Sequence, residues 1–389
     1  VSDAASGGVL SLSTTFTFFF INIASTPPTI SSTCFADYPT LGVDSNALYV
    51  GTNNFCGALG SFNSCDGYVI RKSSILAAGP LVVTVFRGLV ASAAAAGPYT
   101  PQGVDNYSPS ATEGYFIGVD NATFGTLMFR RVSSPGGTPT ISSNLSITVP
   151  ATQFPLNVPH LGNTGGTNGN LSSLDDRLFA AHLRNGRLWT AHNIGVNNTG
   201  AASGTLTRDG SRWYELNVPV GSGTPTVVQS GTVFTASGTN TTDQRHYWVP
   251  SVMVSGQGHV AMGVSAAGSL ERANSATVGR LSGDASGTMQ TPLLFTGSST
   301  AYNPPSDPGD PNVGRRWGDY TYTSLDPIDD MTMWTVQEFC DATNSYGVRI
   351  ARLVAPPPAT PSAIPDVTAG LGAVSVTLAG SVVAGSGFF

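Results

Sequence analysis

Five stretches of this chain repeat one design, a short strand reaching a turn after seven residues, and such a repeat sets the architecture before any motif is read. They run from Asp37 to Asp44, Glu113 to Asp120, Arg177 (with Asp176 beside it) to Arg184, Trp248 to Ser255 and Asp319 to Asp326. The turn positions lie 64–76 residues apart, more than the roughly 40–50 residues of a compact propeller blade. Each unit therefore carries long loops, and Gly97 to Ser110, Gly162 to Ser173 and Tyr302 to Gly314 have the Gly, Pro, Asn and Ser content expected of them.

With 46 Gly and 26 Pro among 389 residues, long helices are excluded and short strands joined by turns are expected. Alternation such as Tyr115, Ile117, Val119 against Phe116, Gly118 fits a sheet with one better-buried face. The fold class read from this is all-β, a β-propeller over residues 1–354 with six blades favoured and seven as the alternative. Thr14 to Ile23 reads as an outer strand of the partial blade. Ala355-Pro-Pro-Pro-Ala-Thr-Pro-Ser362 reads as an extended linker. Residues 363–389, with Val374–Leu378 and Ser381–Phe389 as candidate strands, are too short for a core of their own. They are expected to be a short C-terminal strand extension, either a partial immunoglobulin-like module or an assembly tail.

Charged residues make up 10% of the chain, against roughly 25% in a typical soluble protein. The net charge is −6 and Lys72 is the only lysine. No basic stripe is present to displace counterions from phosphates, so nucleic acid is excluded as a partner. The apolar run Phe16 to Ile23, broken by Thr17 and Asn22, falls far short of the roughly 20 residues a membrane helix needs. The first residue is Val1 and no basic, then apolar, leader follows it, so any signal peptide is expected to lie outside this sequence.

Four cysteines point to export. Cys56 and Cys65 flank a short loop that a disulfide closes across a hairpin, and Cys34 and Cys340 then stand near the two ends of the repeat region, where a ring would bring them together. Four cysteines allow three connectivities, and four buried free thiols are the alternative. Asn-x-Ser/Thr sequons begin at Asn106, Asn121, Asn144, Asn170, Asn197 and Asn240, candidates for glycosylation in an exported chain.

The segments Phe35 to Asp44, Tyr115 to Asp120, Leu174 to Leu178, and Arg316-Trp-Gly-Asp-Tyr320 followed by Leu325 to Asp330 resemble a family of exported bacterial β-propeller proteins with a sialidase-like architecture. The resemblance covers about residues 1–354 and implies an extracellular or cell-surface location, with residues 364–389 as the opening of an immunoglobulin-like module. It implies little about chemistry. The Ser-x-Asp-x-Gly-x-Thr-Trp box of sialidases has its nearest approach in Thr207-Arg-Asp-Gly-Ser-Arg-Trp213, one residue too compact.

Equal offsets from the turns place Asp37, Glu113, Asp176, Arg177, Trp248 and Asp319 at equivalent strand ends around one mouth of the axial channel, a candidate ligand site. Converging carboxylates there suit a hard cation, so calcium is the cofactor to test, with Asp37, Glu113 and Asp319 as ligands. The alternative is that each caps its own blade. Asp326, Asp329 and Asp330 lack EF-hand spacing and read as a turn. The five histidines show no zinc spacing, and no Gly-x-Ser-x-Gly elbow is present.

The function expected is therefore a structural, adhesive or binding module. It forms a homo-oligomer or filament through residues 363–389 and takes a glycan as its candidate ligand. The competing reading is a glycan-active hydrolase or lyase built on mouth carboxylates, with Glu113, Glu215, Glu271 and Glu338 as further candidates.

Overall fold

The computed structural model describes residue 2 and residues 9–236, 244–356, 360–363, 377 and 379–381. Five successive antiparallel sheets account for nearly all of its regular structure. Blade 1 is β1 (Phe35–Val43), β2 (Ala47–Cys56), β3 (Ser61–Arg71) and β4 (Val83–Val90). Blade 2 is built on β5 (Pro98–Gly103), β7 (Glu113–Asp120), β8 (Thr126–Ser133) and β10 (Leu145–Thr148); β9 (Thr140–Ile141) pairs with β8, and β6 (Asp105–Asn106) crosses to the next sheet. Blade 3 is β11 (Leu178–Arg184), β12 (Arg187–Val196), β13 (Arg208–Asn217) and β14 (Thr226–Val233). Blade 4 is β15 (His246–Val254), β16 (Val260–Gly268), β17 (Glu271–Arg280) and β18 (Leu293–Leu294), and blade 5 is β19 (Tyr322–Leu325), β20 (Met333–Ala342) and β21 (Ser345–Leu353). A last pair, β22 (Thr360–Pro361) and β23 (Gly380–Ser381), follows the propeller.

In each blade the strands follow one another outward, and the first strands, β1, β5, β11, β15 and β19, contact their neighbours around the axis. This is a β-propeller. Four first strands share a local device. Register shifts fall between Asp37 and Thr40, Tyr99 and Gln102, Leu178 and Ala181, and Trp248 and Ser251. Inside each shift one residue takes a positive φ: Tyr38 (49°), Thr100 (46°), Ala180 (67°) and Val249 (51°). Such bulges bend a strand and re-aim its side chains. Pro39, Pro101 and Pro250 sit within three of them, where a missing N–H costs the ladder nothing.

The freed backbone groups bond to the preceding blade. Thr40 Oγ1 donates to the Pro101 carbonyl at 2.6 Å, the Ala180 amide to Gln102 Oε1 at 3.0 Å, and the Val249 amide to Asn193 Oδ1 at 3.0 Å. Blades 1 and 2 approach so closely that a Cβ on Gly51 would lie 1.8 Å from the Pro101 oxygen.

Apolar packing fills the spaces between sheets. Tyr49, Val69 and Leu89 meet Phe116 and Val132 between blades 1 and 2. Ile117, Leu127 and Phe129 meet Leu178, Leu188 and Leu216 between blades 2 and 3. Trp189 and Trp213 meet Val252, Met262 and Val264 between blades 3 and 4. Between blades 4 and 5 the apolar packing is divided, with Met253, Ala261 and Met333 in one small cluster and Ala267, Ala273 and Cys340 in another that includes Trp248 and Trp317.

Several sequence expectations are corrected here. Among the described residues five sheets form blades, beside the β22–β23 pair, and the expected sixth or seventh blade is not among them. Thr14 to Ile23 forms no named strand and makes one isolated bridge, Ser2 to Phe16; just beyond it, the carbonyls of Ile23, Thr26 and Pro28 receive Arg87 of blade 1. The disulfide joins Cys34 to Cys56, while Cys65 and Cys340 are buried thiols. Cys65 faces inward in β3 and packs with Tyr49 and Leu89, so its side chain points away from the hairpin end where Cys56 lies. Most of residues 363–389, and Asn240, lie outside the described residues.

Candidate binding site at the channel mouth

Where the first strands begin, blades 1, 3 and 5 bring together Asp37, Tyr38, Asp175, Arg177, Asp319 and Tyr320. Tyr38 is the buried left-handed residue of the blade 1 bulge, and its hydroxyl donates to the Asp319 carbonyl. Its ring stacks on Tyr320 with centroids 4.5 Å apart, and the Arg177 guanidinium lies over its other neighbourhood at 4.2 Å from the ring centre. Tyr320 itself is 55% exposed, and Asp37 and Asp319 are exposed beside it. The Tyr320 hydroxyl is pushed up to about 12 by burial and then by the charges of Asp319 and Asp37, with Arg177 opposing.

Arg177 is held in place by its own loop. It donates to Asp175 through Nε at 2.7 Å and through a terminal nitrogen at 2.6 Å, a bidentate pair. Tyr99 of blade 2 donates to the same carboxylate at 3.1 Å. Burial acts to raise the Asp175 carboxyl, but the Arg177 charge and these hydrogen bonds outweigh it and hold it low. Asn193 pins the loop from below by donating to the carbonyls of Ser173 and Asp175.

Two further carboxyls sit in this region with the opposite tendency. Burial, then the neighbouring Asp175 charge, pushes Asp176 up to about 7. Its side chain is almost fully enclosed, and its backbone carbonyl meets His192 Nδ1 at 2.6 Å. Glu338 of β20 is also pushed up to about 7, by burial and then by Asp319, although the Gly318 amide donates to it. Gly318 has φ 55°, a conformation that glycine takes without strain and that turns its N–H toward Glu338.

Among the residues expected at the mouth, Asp37, Arg177 and Asp319 thus meet around Tyr38 and Tyr320. Asp176 lies next to them but faces inward. Trp248 does not face the channel; it is wholly buried against Trp317 in a cluster with Phe179 and Tyr302. Glu113 is at the other end of the propeller. It opens β7, the second strand of blade 2, and an antiparallel neighbour begins where the first strand ends. There its carboxylate accepts from Arg131, from the Tyr115 hydroxyl at 2.8 Å and from the Gly221 amide at 2.9 Å. It borders a cleft of about 640 Å³.

Among the described residues no group of three or more His, Cys, Asp or Glu side chains is placed to hold a metal ion. The calcium site expected from Asp37, Glu113 and Asp319 therefore does not form, because Glu113 belongs to the far end. Asp326 and Asp329 accept from backbone amides of Ile328, Met331 and Thr332, which is turn chemistry, while Asp330 pairs with Arg184 at 2.6 Å. The side-chain amides of Asn121, Asn144, Asn170 and Asn197 donate to backbone carbonyls, so glycosylation there would break existing hydrogen bonds. Asn106 is half-buried.

Tyr38, Tyr99, Asp175 and Tyr320 were absent from the residues singled out in the sequence. The usable signal was the dipeptide preceding each bulge, Tyr38-Pro39 and Thr100-Pro101, which recurs as Val249-Pro250.

No protein-family model matches the sequence, and no curated protein matches it. Solved structures similar to it include a GH43_12 protein retrieved from a capybara gut metagenome, at 12% identity and TM-score 0.35, covering 81% of this chain and 51% of that one. The GH43_1 enzyme from Xanthomonas citri complexed with xylotriose is 11% identical with TM-score 0.37, covering 83% and 88%. Trypanosoma rangeli sialidase is 11% identical with TM-score 0.41, covering 77% and 43%. The chain thus spans about half the length of the first and less than half of the last. The propeller assignment rests on the order and contacts of its own sheets. No helix among the described residues is long and apolar enough to cross a membrane.

Proposed function

We propose that this chain is an exported propeller that binds saccharides at the mouth around Tyr320, serving as a binding or adhesive module, with residues 363–389 as an assembly element. The observation that carries the binding reading is the exposed Tyr320 ring, backed by Tyr38 and flanked by the free carboxylates Asp37 and Asp319. An aromatic face takes the apolar side of a sugar ring, and carboxylates accept from its hydroxyls. Arg177 is committed to Asp175 and to Tyr38, so the mouth offers negative charge and suits neutral or amino sugars over acidic ones. The Cys34–Cys56 disulfide agrees with an oxidising compartment.

Binding to arrayed neutral, amino and sialylated oligosaccharides tests this. Tyr320→Ala is expected to weaken binding about five- to tenfold, since stacking on an exposed ring contributes about 1–1.4 kcal/mol. Binding that prefers sialylated glycans, or that ignores Tyr320→Ala, removes the proposal.

One observation favours glycoside cleavage as a second reading. Glu338, pushed up to about 7 by burial and then by the nearby Asp319, has the character of a general acid with a second carboxyl beside it. Release of reducing sugar by the native chain, lost in both Glu338→Gln and Asp319→Asn, would replace the binding role with a hydrolytic one.

A further inference from the structure

Among the described residues blade 5 has three strands where every other blade has at least four, and β21 pairs on one side only, with β20. The pairs Tyr322 with Val336 and Val336 with Ile350 define one face of this sheet. By strand alternation Trp334, Tyr346 and Val348 share it. All six of these side chains are 36–65% exposed. The opposite face, with Thr323, Thr335 and Gln337, is fully buried toward blade 4. Across from the exposed face, blade 1 shows Leu41 and Val43, also exposed, and at the inner end of this gap a cavity of about 600 Å³ is lined by them, by Tyr322 and Ser324, and by Lys72 and the segment 105–109. Among the described residues no strand of blade 1 packs on β20 or β21 as the other neighbouring sheets pack on each other. The ring is thus joined near its axis, through Tyr38, Asp319 and Tyr320, and open as a wedge further out.

A largely apolar face beside a strand edge marks an interaction site; Glu338 and Arg352 share this face by the same alternation, and the chain carries a matching uncharged segment. Residues 367–389 contain no charged side chain and include Val374, Val376, Leu378, Val382 and Val383. The chain leaves blade 5 with Val354, Ala355 and Pro356 beside Val278, Gly279 and Arg280 of blade 4, on the flank away from the wedge. The described part of the tail pairs with itself, Thr360–Pro361 against Gly380–Ser381, and not with β21.

We propose that the wedge between blades 5 and 1, with the free edge of β21, receives the C-terminal strands of a second copy of this chain. Strand addition supplies backbone hydrogen bonds along the edge, and alternate side chains enter the apolar face. The chain leaves blade 5 at Val354–Pro356 on the flank opposite the acceptor edge, so the proposed contact is heterologous and propagates head to tail unless its rotation closes a ring. This inference rests on reading residues 363–389 as an assembly element and adds the surface that accepts them.

Light scattering over a concentration series with full-length chains tests it. The acceptor variant is Val348→Asp with Ile350→Asp, and the donor variant is Val374→Asp with Val376→Asp. The native chain is expected at multiples of its 40.0 kDa, each variant alone at the single-chain mass, and their equimolar mixture at twice that mass, since one retains the tail and the other the edge. Circular dichroism melts check folding, and Tyr346→Ser with Val348→Ser is a milder acceptor variant if the charged one melts early. A native chain that stays single at every concentration, or a mixture that does, overturns the proposal. Assembly that survives both acceptor variants but not the donor variant overturns the wedge alone. Assembly that survives the donor variant overturns the role of the tail as well.

Discussion

The interfaces on the two sides of blade 4 are built on opposite principles. Toward blade 3 it buries Val252, Met262, Val264 and Val278 against Trp189 and Trp213, whose rings stack at 5.6 Å. Toward blade 5 it offers hydroxyls and small residues. Ser251 and Thr323 hydroxyls meet at 2.8 Å, Thr323 donates to Thr335 at 3.0 Å, and Gln337 donates to Thr335 at 2.9 Å. A Cβ on Gly263 would fall 2.1 Å from Thr335 Oγ1, so the fit is tight as well as polar. The first interface draws on apolar area, at about 25 cal/mol per Å². The second draws on hydrogen bonds that each contribute roughly 1 kcal/mol but are costly to leave unmade. Blade 5 is in effect turned inside out, polar where it is buried and apolar where it is exposed, which leaves its apolar face available to something outside the ring.

The largest effect is expected at the apolar interface. Trp213→Ala empties a fully buried site and should cost about 3–5 kcal/mol in urea unfolding. At the polar interface Thr335→Val keeps the shape but removes one partner each from the Thr323 hydroxyl and the Gln337 amide, which retain Ser251, and about 1–2 kcal/mol is expected. A Thr335→Val chain as damaged as Trp213→Ala would show that blade 5 depends on its network more than on burial. An unchanged chain would show that the few apolar contacts of Met333 suffice.

This contrast also explains which parts of the molecule were legible in the sequence. Asp44, Arg184, Ser255 and Asp326 do end the first strands of four blades, because an Asp- or Ser-rich turn after a seven-residue strand is a local signal. Blade 2 misled, because its first strand, Pro98–Gly103, lies in a Gly- and Pro-rich stretch that reads as loop, while the second strand, Glu113–Asp120, carries the stronger alternation. That one slip moved Glu113 to the wrong end of the channel and with it the calcium site. The disulfide was misassigned because spacing cannot tell which face of β3 holds Cys65. The expected sixth blade came from the apolar run at Thr14 to Ile23, where strand-like composition exists without a strand in this fold. Ring closure, and the inverted faces of blade 5, depend on contacts between residues far apart in the chain and leave no local trace.

Glu338 follows Gln337 and so points to the other face of β20, where a titration reads its surroundings. Its carboxyl, raised to about 7 by burial and Asp319, has an unfolded value of about 4.3. A raised acid contributes stability that is complete below the unfolded value and lost as pH rises through the folded one. Glu338→Gln keeps the acceptor for Gly318 and removes that loss, so the variant should gain about 1–2 kcal/mol on the native chain between pH 4 and 8. His160 and His192, which burial holds down to about 4, lose stability as pH falls, but they do so in both proteins and cancel in the difference. A constant difference across this range would mean that the folded chain leaves the Glu338 carboxyl at its unfolded value.

The smallest effect is expected on the exposed face of blade 5, and its smallness sharpens the contrast. Val336 is 36% exposed and lies between Tyr322 and Ile350 across the sheet. Val336→Ser should cost dilute, single chains about 1 kcal/mol or less, because about a third of the residue is already in water. The same change at Val264, wholly enclosed on the blade 3 side of blade 4, removes buried methyl groups and buries a hydroxyl, at a cost of about 2 kcal/mol or more. Chemical unfolding of the two variants in parallel gives the comparison directly. A Val336→Ser chain that loses as much as Val264→Ser would mean that the apolar face of blade 5 is covered within its own chain, and the wedge would then be closed in solution.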